Sequence, residues 1–326
     1  TMNPNKIIKK CNQKMIILAL ITIAVSLCYL LYNLNFQNQR LLHYALKLRT
    51  PKLLVMLIAS FTIGSASIIF QSIINNTIVT PCLLGMNSLY TLIHTAVVFF
   101  AGAGSILVVN QNISFMMDLL IMAITSTIVY SYLFKKTNHN ILYVLLIGTV
   151  LTSFFSSIQS SLVRVMDPND YDSLLTTLVA SFSNVNSEII LLSVILLSIL
   201  AFTLRKELAL LDVLTLGKDQ AINLGVDYDK SIRRLLLGVT ICIAIATAMV
   251  GPISFLGLIV ANLSRQLMKT YRHTYLILGS AMIGMIVLVF GQVLVERVFA
   301  YSVPVSVFIT VGGGIYFLYL LLRKGK

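Results

Sequence analysis

The chain has 326 residues, of which 58% are hydrophobic and only 11% charged, with a mean hydropathy of +0.92. A soluble domain carries about 25% charged residues, so a water-soluble fold of this size is excluded and the bilayer is the solvent that suits the chain. The net charge of +13 does not indicate nucleic acid, because the basic residues stand at the ends of apolar runs and not in a stripe interleaved with aromatics.

Backbone polar groups in hydrocarbon must be satisfied internally, which leaves helices or a closed barrel. The apolar runs are about 18 to 25 residues long without strict alternation, the length of a membrane-crossing helix and not of a barrel strand. The expected class is therefore an all-α, polytopic membrane protein forming one transmembrane domain over 1–326. Its ten expected spans are 15–34, 51–74, 82–104, 114–134, 141–164, 187–204, 231–250, 253–268, 274–294 and 304–322. The first run lacks a small-residue cleavage motif behind it, so it reads as a retained span.

Ten spans put both termini on one side, and positive charge chooses which. If that side is cytoplasmic, it holds 18 of the 24 basic residues: Lys6, Lys9, Lys10, Lys14, Lys135, Lys136, Arg205, Lys206, Lys218, Lys230, Arg233, Arg234, Arg265, Lys269, Arg272, Arg323, Lys324 and Lys326. The outside keeps Arg40, Lys47, Arg49, Lys52, Arg164 and Arg297. One span count thus yields a consistent charge asymmetry.

Two loops exceed what a hairpin needs. The outer one, 165–186, carries Asp167, Pro168, Asp170 and Asp172 and predicts a short surface element. The inner one, 205–230, places Ala221, Ile222 and Leu224 among polar residues between Gly217 and Gly225, which can stop a helix at either end. Physics alone leaves two readings for that short amphipathic helix: it lies on lipid, or it is a knob that fits a cytosolic partner.

Gly251-Pro252 falls between two apolar runs and forces a tight re-entry before an unusually short span. Gly/Pro-interrupted segments of this kind can mark a translocation path, as against plain helix packing.

No catalytic constellation is present: there is no phosphate-cradling Gly-rich loop, no HExxH and no Gly-x-Ser-x-Gly. The histidines His43, His94, His139 and His273 are scattered, so neither a metal site nor a cofactor is expected. His94 lies within a span, where a helix-to-helix hydrogen bond is the favoured role. Cys11, Cys28, Cys82 and Cys242 lack CxxC spacing and read mainly as small buried hydrophobes. Intramembrane acids are scarce; Asp118 sits near a span end, and Glu296 with Arg297 close a span at the outer face. A stand-alone secondary carrier usually needs ionisable groups near the midplane, so the energy source is expected on another chain.

The run Gly217-Lys-Asp-Gln-Ala-Ile-Asn-Leu-Gly225-Val, then a span, then Gly251-Pro-Ile-Ser-Phe-Leu-Gly-Leu-Ile-Val-Ala-Asn-Leu-Ser-Arg265, resembles the permease subunits of bacterial iron-chelate and vitamin B12 importers, the type II ABC importers. Leu48-Arg49-Thr-Pro51-Lys52, Gln71, Pro81-Cys-Leu-Leu-Gly85, Arg297 and Pro304-Val305 follow the same pattern, so the resemblance covers essentially the whole chain. It departs at Asn75-Asn76-Thr77-Ile78, where the family often has Arg-Asn-Pro-Leu, and at Ala261-Asn262, where it commonly has Pro-His. A third departure, Met86-Asn87-Ser88-Leu89-Tyr90, replaces the usual small-residue cluster after Gly85. The flavour is closest to Gram-positive permeases for catecholate-type siderophores.

The resemblance implies a non-catalytic permease subunit in a bacterial cytoplasmic membrane, importing a ferric siderophore, with haem or cobalamin as alternatives. It implies three partners: a second permease subunit, a cytosolic ATPase dimer, and an extracellular substrate-binding lipoprotein. It casts Gly217, Ala221, Leu224 and Gly225 as the ATPase-coupling element, and Arg49, Lys52 and Arg297 as the contact for the binding protein. Gln71, Gly85, Asn87, Gly251 and Pro252 become candidates for the translocation path.

Overall fold

The computed structural model describes residues 4–32, 39–136, 141–182 and 186–324. Helices α1 (Pro4–Leu31), α2 (Gln39–Ile74), α3 (Met86–Ala101), α4 (Ile106–Val109), α5 (Gln111–Lys136), α6 (Ile141–Val165) and α7 (Pro168–Leu178) make the first half. Helices α8 (Ser187–Thr203), α9 (Arg205–Leu214), α10 (Lys218–Asn223), α11 (Tyr228–Val250), α12 (Leu256–Met268), α13 (His273–Arg297) and α14 (Val305–Lys324) make the second. No strand occurs among the described residues. The class is all-α, and each of the ten expected spans falls on a helix; the end of the first, 33–34, and His139 lie outside the described residues.

Six helices are long and apolar enough to cross a membrane alone: α1, α2, α5, α6, α11 and α13. Helices α8 and α9 together form a seventh candidate, bent by 58°. Of the most apolar stretch of α2, 78% is buried, against 11% in α1 and in α6. Helix α2 is thus the centre of the bundle, with α13 and α11 packed on it, while α1 and α6 form the rim. Close approach of α2 and α13 depends on small residues. A Cβ on Gly64 would stand 2.8 Å from Ser280 Oγ, and one on Gly284 2.8 Å from Ser60 Cβ. Where lipid is as apolar as leucine, such close packing is what holds helices together.

Three elements differ from the sequence expectation. The second span does not open at Pro51, because helical geometry continues back to Gln39 with Pro51 inside it. The third span starts as a 3-10 turn, Pro81–Leu84, and breaks at Gly85, where φ is +96°, before α3 begins. The eighth span is shorter than expected: 251–254 is non-helical and α12 begins only at Leu256, after Phe255 at φ 64°. At 13 residues it reaches about 20 Å, less than a full crossing. The 165–186 loop supplies the short element expected there, α7. Asp167 accepts a bond from the Asn169 amide at 2.9 Å and Pro168 fills the first helical position, both of which favour a helix start.

Candidate functional site

The face that carries the 205–230 segment is built on α9 and α10. Gly217 and Gly225 sit at φ +105° and +82°, and a Cβ at either would meet nothing within 4 Å. Conformation and not crowding selects glycine there. Between them Ala221 is fully buried, so it is a packing anchor and not a contact residue. The apolar side chains exposed on this face are Leu216, Ile222 and Leu224, by 53%, 50% and 63%. Leu216 went unremarked in the sequence because it precedes the glycine that opens the helix. Two ion pairs hold the platform: Lys218 with Asp229 at 3.2 Å, and Arg234 with Glu207. The guanidinium of Arg234 donates to the Glu207 carboxylate and holds it below the usual carboxylate range.

From this platform a polar chain runs into the bundle. Asp212 of α9 bonds the backbone amide of His273 at 3.0 Å and also its Nδ1. His273 Nε2 lies 2.8 Å from Ser72 Oγ on α2. Arg265 of α12 donates to the same Ser72 Oγ at 3.0 Å and to Gln71 Oε1 at 3.2 Å. Gln71 Nε2 and Asn262 Nδ2 then donate to the Thr77 carbonyl at 2.7 and 2.8 Å. Two of the departures from the family pattern, 75–78 and 261–262, therefore meet in one hydrogen-bonded knot.

The other path candidates are also inside the subunit. Gly85, Asn87 and Gly251 are buried, with Asn87 Nδ2 donating to Ser254 Oγ at 3.3 Å, and Pro252 is partly buried. At Gly251, φ is +93° and a Cβ would stand 2.9 Å from Ala180 Cα, so both conformation and space exclude a larger residue. The Ser181 amide donates to the Val250 carbonyl at 3.0 Å, tying the re-entrant turn to the end of α7. What the sequence reading missed is the rim. Thr149, Ser153, Ser157 and Ser161 are all exposed on α6 at four-residue spacing, a hydroxyl row about 18 Å long on a membrane-spanning helix. On α14, Gly312 and Gly314 face open space while Gly313 packs on Phe255.

His94 makes the helix-to-helix bond expected of it: its Nδ1 is 2.7 Å from Asp118 Oδ2 on α5, with side chains 2% and 3% exposed. The pair borders a cavity of about 260 Å³, which also touches Tyr90, Asn186 and Gly251. Among the described residues no cluster of three or more His, Cys, Asp or Glu side chains could hold a metal ion.

At the opposite end of the bundle, Lys52 pairs with Glu296 of α13 at 3.0 Å and donates to Tyr301 Oη at 3.2 Å. Glu296 also accepts from Tyr29 Oη at 3.0 Å and Gln292 Nε2 at 2.8 Å. Arg49 donates to the carbonyls of Tyr29, Leu30 and Tyr32 at 3.3, 3.0 and 2.7 Å, closing the C-terminal end of α1. Arg297 is exposed, its guanidinium 5.0 Å from the centre of the Tyr32 ring. Of the three cations expected to meet a binding protein, Lys52 is therefore committed to an internal ion pair, and Arg49 is partly committed to a helix end.

An all-helical bundle of this span length, with an apolar knob on a glycine-bracketed loop at one face, defines a multi-pass membrane protein. The FecCD transport family matches residues 13–323, and the chain belongs to that family. It is 42% identical over 283 residues to the petrobactin import system permease protein YclO of Bacillus subtilis, covering 87% of this chain and 90% of that one. It is 35% identical to the petrobactin import system permease protein FatC of Bacillus anthracis, over 85% of this chain and 78% of the relative. Its fold matches that of a metal-chelate type ABC transporter solved in an inward-facing conformation, with a TM-score of 0.77 at 23% identity, over 96% and 99% of the two chains.

Proposed function

We propose that the chain is the permease subunit of an ATP-driven importer that carries a ferric siderophore across a bacterial cytoplasmic membrane, with both termini cytoplasmic. The observation that carries this reading is the exposed apolar knob of Leu216, Ile222 and Leu224 on a platform fixed by two ion pairs, on a chain 42% identical over most of its length to a petrobactin permease. An apolar cluster standing clear of the bundle fits a cleft in a cytosolic ATPase, which supplies the energy for transport. The subunit itself performs no bond chemistry.

The cargo passes between two permease subunits, this chain and a second copy or a related one. The hydroxyl row of α6 and the open glycines of α14 face that seam, where lone pairs meet water and not lipid. Gln71, Gly85, Asn87, Gly251 and Pro252 set helix packing beside the path. A substrate-binding lipoprotein docks outside, with Arg297 as its principal cationic contact and Arg49 and Lys52 as the groups that hold the outer ends of α1 and α13 in place.

Replacing Leu224 by Asp tests the coupling role. Ferric-siderophore uptake should be lost while the chain still inserts and accumulates in the membrane. Normal uptake by that variant sinks the assignment.

A further inference from the structure

Between α1 and α13 lies a cavity of about 410 Å³ whose walls are mainly apolar: Val25 on one side, and Ile286, Val289, Phe290 and Val293 on the other. Both helices are membrane-spanning candidates, and Phe290 is 64% exposed, so the apolar part of this groove opens on the side that hydrocarbon covers. At its outer end the lining changes to Arg49, Glu296 and Arg297. Glu296 is already matched by Lys52. Neither guanidinium has a carboxylate partner among the described residues, and the rim is left with two positive charges. Tyr29 and Tyr32 line the same end, where aromatic rings mark headgroup depth.

We infer that this groove is a binding site for an anionic phospholipid, one acyl chain lying along Val25, Val289 and Val293 and the phosphate meeting Arg297 and Arg49. The vertical order of the groove is that of the lipid: hydrocarbon wall, aromatic collar, cationic rim. Basic pockets between spanning helices recognise anionic headgroups in this way, and a guanidinium presents the fork that suits phosphate. The volume falls within the usual range of about 300 to 1,000 Å³ for small-molecule sites. Under the orientation proposed above, the lipid belongs to the outer leaflet. A lipid seated there would wedge the periphery of the bundle beside Glu296, the group that joins α13 to α1 and α2.

The test is native mass spectrometry of the full chain, released from micelles doped with equal amounts of phosphatidylglycerol and phosphatidylcholine. Wild type should retain phosphatidylglycerol in preference. Arg297→Gln should reduce that preference about fivefold, the worth of one basic residue at a membrane surface. Val293→Trp, which fills the groove and leaves the rim untouched, should reduce retention of both lipids. An excess of inorganic phosphate should not displace the lipid. Equal retention of the two lipids by wild type, an unchanged preference in Arg297→Gln, unchanged retention in Val293→Trp, or displacement by phosphate alone each overturns the site. An Arg297→Gln chain that loses affinity for a binding protein yet keeps its lipid preference also overturns it, and leaves the docking reading standing.

Discussion

The pair His94–Asp118 shows what a single polar contact does inside this bundle. With His94 neutral, its Nδ1–H donates to Asp118 Oδ2, while His94 Nε2 and Asp118 Oδ1 make no bond to protein. Both free atoms are then acceptors, and the adjoining cavity of about 260 Å³ has room for water to serve them. Removing one partner strands the other. His94→Leu should therefore destabilise the chain by about 1 to 2 kcal/mol, the upper range for interhelical bonds in membranes. The double variant His94→Leu/Asp118→Leu should be the more stable of the two, since it buries no orphan. Thermal unfolding in detergent reads this directly, and additive losses would contradict it. The role of His94 was legible because an in-span histidine demands a partner. Its partner was not, because Asp118 sits 24 positions away on α5 and looked like a span-end residue.

Elements were legible where composition and geometry agree. Ten apolar runs gave ten helices, and Asp167-Pro168 gave the start of α7. The misses lie where tertiary packing overrides a local signal. Pro51 lacks an amide donor, yet an exposed outer extension of α2 tolerates that loss and the helix continues. Gly251 and Phe255 keep the chain out of helix for a full turn, because the turn packs against α7 and not against lipid. For α10 the brackets read correctly from the sequence but its facing did not: a six-residue helix gives too little periodicity to tell the buried Ala221 from its exposed neighbours. Gly225→Ala forces an L residue into φ +82°, a cost of about 1 to 2 kcal/mol. Since nothing crowds that position, the expected outcome is a loss of uptake with global stability lowered by no more than that strain, checked by comparing transport with thermal stability. The neighbouring Glu207–Arg234 pair adds a pH signature. Its carboxyl is held low in the folded chain, so its contribution is complete above the ordinary Glu range and is lost as pH falls through the lowered value. Glu207→Gln should thus lose stability at neutral pH and converge with wild type in acid; an equal gap at both would refute the pair's role.

On the scale of the molecule, charge asymmetry proposes an orientation from sequence alone, and it carries no information on how the two faces communicate. The described structure offers one continuous polar route from the knob to the bundle centre: Asp212, His273, Ser72, Arg265, Gln71 and Thr77. It joins α9 to α2, α12 and α13, three helices that pack closely on one another. In a bundle held by close packing, a rigid hydrogen-bonded link transmits a displacement that apolar contacts alone would let slip. His273→Phe preserves bulk and removes both ring bonds, one to Asp212 and one to Ser72. Because the knob itself is untouched, the proposed ATPase should still dock and hydrolyse ATP. What should fall is transport per ATP, by a factor of about 5 to 150 if the link carries a typical coupling energy. Liposomes holding the assembled importer, assayed for both uptake and phosphate release, separate the two quantities. A parallel loss of hydrolysis and uptake would place His273 in folding or docking; wild-type rates of both would mean that the displacement travels through helix packing instead.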